Sequence, residues 1–135
     1  MIFFALIIGL AFSMYFIKYT KVTTSFIINM NAEFKINVNK DNKVVEITGL
    51  NSKGQSILNT SSFFNKNYND TLKRLYNICT AKDYFSNEYL SRTPYVIIQI
   101  DGDSNNINLD FSPFEEYLAS RHLDLIINRD GKSNK

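Results

Sequence analysis

Several residue groups in this chain of 135 residues have the types that bind metals or move protons, and in each case the spacing tells against that chemistry. Asp101-Gly102-Asp103, with Asn105 and Asn106 after it, has the oxygen-rich look of a calcium loop. Such a loop alternates its ligands and closes with a bidentate Glu at about its twelfth position. That position holds Ser112, so a turn after a strand is the expectation. Glu115-Glu116 supplies two carboxylates, but adjacent helical residues point about 100° apart and do not converge on one atom. They suit the positive end of a helix instead. Ser112, His122 and Asp124 carry the letters of a nucleophile, base and acid, yet nothing like a nucleophile elbow surrounds the serine. His122, the one histidine, reads as a cation at a helix C-terminus. Cys79 is the one cysteine, so no intrachain disulfide forms, and its place in an apolar stripe reads as a small core residue. Asn31, between two strand-like segments, reads as a turn residue. These residues predict no metal, no cofactor and no enzyme.

The elements that must position them follow from periodicity. Residues 22–30, VTTSFIINM, are β-branched and aromatic and predict a strand. In 32–39, Phe34, Ile36 and Val38 alternate with Lys35, Asn37 and Asn39, giving a half-buried strand. The polar turn 40–43 and the returning strand 44–50 complete a hairpin. Residues 51–55 read as another turn. Leu72, Leu75, Tyr76 and Cys79 form a helical stripe over 69–80, with Asn69 or Asp70 as its cap. A second short helix is expected over 83–90, ending before Pro94. YVIIQI at 95–100 reads as a buried central strand. Ser112-Pro113 opens a further helix, and 123–128 is a last strand. The order β-β-β-α-(α)-β-α-β predicts an α+β fold: a small antiparallel sheet with two or three helices on one face.

The formal charge of +2 and the absence of a Lys/Arg cluster argue against a nucleic-acid surface. The first seventeen residues, MIFFALIIGLAFSMYFI, carry no charge. About 17 apolar residues is the lower limit for spanning hydrocarbon. Tyr15, Tyr19, Lys18 and Lys21 suit the head-group level. A cleaved signal peptide would want a basic start and a small-residue cleavage site. A core helix would show a water-facing side. A transmembrane anchor over residues 1–21, in contact with the bilayer through 1–17, is therefore expected. The charges that follow it would by themselves hold the rest of the chain inside. The run opens at Met1 itself, which reads as the interior of a longer protein whose upstream charges set the topology.

Residues 22–58 resemble the start of the extracytoplasmic middle domain of RsgI-type anti-sigma factors. In that family a hydrophobic span precedes a strand, an Asp-x-Asn-Pro-Ser-x-Glu motif and a hairpin ending in a Leu-Asn-x-x-Gly-x-x-Leu-like run. Leu50-Asn51-Ser52-Lys53-Gly54-Gln55-Ser56-Ile57-Leu58 fits that run, and Asn37–Lys40 with Val44-Val45 fits the hairpin. The following helix and YVIIQI continue the pattern. The resemblance implies self-cleavage at the Asn-Pro bond, where an Asn amide nitrogen attacks its own backbone carbonyl. Here Asn31 is followed by Ala32, and the motif's Asp, Ser and Glu are matched by Asn29, Glu33 and Lys35. Asn31 and Ala32 are thus a vestigial cleavage position, at which scission is expected to be weak or absent.

The resemblance implies a single-pass membrane protein with its α+β domain, residues 22–128, outside the cytoplasm and a polar tail at 129–135. Its role would be relay in sigma-I-type transcription control, with other anti-sigma segments and an intramembrane or site-1-type protease as partners. The cytoplasmic sigma-binding and C-terminal sensor parts of the family are not matched in this sequence. The rival expectation is a membrane-tethered binding domain for a protein or cell-wall ligand, unrelated to sigma control.

Overall fold

Alternation along the first two strands decides which face of the sheet becomes the core. In β1 (Thr24–Met30) the buried residues are Thr24, Phe26, Ile28 and Met30, and in β2 (Ala32–Val38) they are Ala32, Phe34, Ile36 and Val38. Because side chains alternate across a strand, both strands present one apolar face. The computed structural model describes residues 22, 24–59, 63–64, 66–100, 109–129 and 132–133. After β2 come β3 (Val44–Gly49), α1 (Ser52–Leu58), α2 (Tyr68–Ala81), α3 (Asn87–Arg92) and β4 (Tyr95–Ile100). Helix α4 (Ser112–Ala119), β5 (Asp124–Arg129) and the short β6 (Lys132–Ser133) complete the order.

The sheet has six strands in the order β3-β2-β1-β4-β5-β6. The expected 32–50 hairpin forms, with Ile36 opposite Ile47 and an irregularity at Asn37/Val38. The sheet is mixed, however, and not antiparallel throughout: β4 and β5 run parallel, with Val96 opposite Leu125. The reason is α4, which lies between them and returns the chain to the end of the sheet where β4 began. The described residues hold four helices, more than the two or three expected. The additional one is α1, where 51–55 reads as a turn in the sequence: Asn51 caps it by accepting from Gly54 N at 2.8 Å. An Asn followed by Ser-Lys-Gly has turn composition, and only the packing of Ile57 into the core separates a capped helix from a loop.

The expected stripe of α2 is buried, Leu72, Leu75 and Cys79 completely. Its cap is Asn67, which accepts from Asn69 N at 2.9 Å, two residues before the earlier of the two expected positions. Asn69 itself reaches across to donate to Asp110 O. With Phe26, Ile28, Ile98, Phe114 and Leu118 these residues form one core. Each such side chain contributes roughly 1.5–3 kcal/mol by leaving water. Among the described residues no helix is long and apolar enough to cross a membrane. The anchor expected over 1–21 and the turn at 101–104 lie outside the described residues.

Candidate functional site

The chain reverses between β1 and β2 within a single residue, Asn31, flanked by the pairs Met30–Ala32 and Asn29–Glu33. Asn31 has φ 72°, the left-handed region that asparagine tolerates better than other side-chain-bearing residues. Asn29 helps to hold it, its Oδ1 accepting from Asn31 N at 3.1 Å. The sequence expectation of a turn residue there is met, and the structure adds what surrounds it.

Asn51 is the hub of that surround. Its Nδ2 donates to Asn31 O at 2.9 Å, and its Oδ1 accepts from both Glu33 N at 3.1 Å and Gly54 N at 2.8 Å. One carboxamide therefore ties the β1–β2 reversal to the start of α1. Glu33 O in turn accepts from Leu50 N at 2.8 Å. Gly54 is required by this closeness, since a Cβ there would run into the Glu33 carbonyl oxygen. The Leu-Asn-x-x-Gly run is thus a cradle for the reversal: the Asn grips it and the Gly lets it approach.

A second clamp comes from the end of α2. Asp83 takes φ 60°, and Tyr84 N donates back to Cys79 O, closing the helix in a left-handed cap. This aims Tyr84 O at Asn31, whose Nδ2 donates to it at 2.7 Å. Tyr89 of α3 stands beside the Asn31 backbone; burial raises its hydroxyl pKa, and the nearby Asn31 backbone opposes the rise. Behind the Asn31–Ala32 peptide lies Cys79, with no exposed surface, next to the Ala32 N–H. Burial pushes its thiol up to about 12, so it stands there as a neutral thiol and not as a nucleophile.

Chemically, this corner holds one peptide bond from several sides. The Asn31 carbonyl oxygen already has a donor in Asn51, and the Asn31 amide nitrogen is committed to Tyr84. Nothing in the sequence pattern by itself singled out Tyr84, Tyr89 or the gripping role of Asn51. The only local signal was Asn51 and Gly54 within the run after the hairpin, a spacing that fits a helix cap.

The remaining groups are not brought together. Ser112 Oγ donates to Asp110 Oδ1 at 2.6 Å, at the start of α4, while His122 follows that helix's far end, about 12 Å away at about 1.5 Å per residue. His122 has φ 62° and its N–H donates to Ala119 O, so its backbone caps α4. Glu115 and Glu116 are exposed on the first turns of that helix. Among the described residues no group of three or more His, Cys, Asp or Glu is placed to hold a metal ion.

Residues 25–131 match the model of a family described as the anti-sigma factor RsgI-like central domain. No curated protein matches the chain.

Proposed function

The chain belongs to the RsgI-like central-domain family of anti-sigma factors, and on that premise we propose that it is the extracytoplasmic relay domain of such a factor, acting on a sigma-I-type partner. Anti-sigma factors act in sigma-factor regulation, and the chain's role lies there. The observation that carries the finer reading is that the matched span starts within β1, a short stretch of chain after the apolar run 1–17, and takes in the whole core. A run of that length suits a single-pass anchor at the cell membrane. A signal received outside would reach the anchor through β1, which follows it in sequence and lies between β2 and β4 in the sheet. The partners in this reading are the lipid bilayer, other segments of the anti-sigma system, and an intramembrane or site-1-type protease.

The domain is not an enzyme in this reading, and the Asn31–Ala32 bond stays intact. Two features support that. Ala32 replaces the proline whose tertiary amide the family motif uses, and the Asn31 amide nitrogen is held by Tyr84 O at 2.7 Å. Intact-mass measurement after purification and extended incubation tests this: one species of full mass is expected. Fragments 1–31 and 32–135 would show a bond that breaks by itself. For placement, protease added to intact cells should digest the domain and leave the anchor. A domain that survives while a known external protein is cut would overturn the outward orientation.

A further inference from the structure

On the sheet face opposite the core, a depression of about 380 Å³ opens where β1 ends and β4 begins, lined by Asn29, Asn31, Tyr89, Thr93, Tyr95 and Ile97. The volume lies within the range of small-molecule sites, about 300–1,000 Å³. We propose that this depression binds one unit of a neutral sugar.

The lining contains no charged side chain, so an ionic ligand would lose its water without gaining a counter-charge. It does contain two carboxamides, two phenols and an aliphatic hydroxyl, set beside the apolar Ile97. Part of this polar set is already used: Asn29 Oδ1 accepts from Asn31 N, the Asn31 side chain donates to Tyr84 O, and Asn31 O accepts from Asn51. Among the described residues, Asn29 Nδ2 and the hydroxyls of Thr93 and Tyr95 make no hydrogen bond. A donor amide and hydroxyls that both donate and accept match a ligand whose own hydroxyls do the same. The phenols and Ile97 suit the apolar C–H face of such a ring.

A peptide added as a strand is excluded by topology. Strands β1 and β4 lie inside the sheet, between β2 and β5, so neither is a sheet edge to which a strand could be added. Recognition must come from side chains. Because Asn29 and Asn31 line the depression and also form the reversal, an occupied site stiffens the β1–β2 turn. This goes beyond the relay reading and does not depend on it.

The test is nuclear magnetic resonance titration of the isotope-labelled full chain in detergent micelles with cellobiose and with N,N′-diacetylchitobiose. A saturable shift of the Asn29 and Asn31 side-chain amides is expected with at least one sugar, in the millimolar range of about 1–10 mM. Thr93→Val and Tyr95→Phe each remove one hydroxyl at nearly constant shape and should weaken binding about fivefold, the worth of one neutral hydrogen bond. The proposal is overturned if neither sugar shifts these amides up to about 50 mM, an affinity below any useful site. It is equally overturned if both variants bind as the parent does. Since the readout is sugar binding alone, its failure leaves the sigma-regulation reading untouched, and failure of that reading leaves the site untouched.

Discussion

Replacing Asn51 with alanine should cost far more than an ordinary helix cap. A lone N-cap Asn contributes about 1 kcal/mol. Asn51 makes that bond to Gly54 N and two more, to Glu33 N and Asn31 O, which tie β1 and β2 to α1. Each of these part-buried bonds contributes about 1 kcal/mol net, and their loss leaves a carbonyl and an N–H unpaired. The total for Asn51→Ala is therefore about 2–3 kcal/mol, out of a typical domain stability of about 5–15 kcal/mol. Asn51→Ser separates the parts. Serine caps about as well as asparagine, but its shorter side chain cannot span from α1 to the reversal. It should lose only the two tying bonds, about 2 kcal/mol. Urea unfolding of the full chain and both variants, with the slope held common, gives these differences directly. If Asn51→Ser is as stable as the parent, the contact with Asn31 contributes nothing and the cradle is only a helix cap.

Gly54→Ala should destabilise by roughly 1–3 kcal/mol even though alanine is the better helix former by about 1 kcal/mol, because the new Cβ meets the immovable Glu33 carbonyl; the same urea series checks it. Tyr68→Phe removes the hydroxyl that donates to Asp110 O at 2.9 Å and accepts from Asp110 N at 2.7 Å, and should lower the unfolding free energy by about 1–3 kcal/mol. Cys79 should resist a thiol reagent in the folded chain near neutral pH and react fully in urea, which mass spectrometry reads as one added label. Its raised pKa also sets a pH dependence. The folded value of about 12 exceeds the ordinary 9.0, so this stabilisation is complete below pH 9 and is lost as pH rises towards 12. Tyr68 and Tyr89 are raised for the same reason and act in the same direction from about pH 10 upward. Urea midpoints should fall across that range, and less steeply in Cys79→Ala.

What the amino-acid sequence determined by itself is local. The alternation of Phe34, Ile36 and Val38 declares a strand with one buried face, and the Leu72–Cys79 stripe declares a helix, because each pattern depends only on the period of its own element. The resemblance at Leu50–Leu58 identified the family, and the match over 25–131 bears it out. The sequence did not declare that β5 lies parallel beside β4, because strand direction depends on where α4 delivers the chain. Nor did it show that Asn51, Tyr84 and Tyr89, distant from Asn31 in the chain, converge on one peptide bond. Those contacts join α1, α2 and α3 to the sheet, and no periodicity within one element encodes the distance between two. Only the packing of the helices against one core brings a turn asparagine, a helix cap and a helix end to the same point.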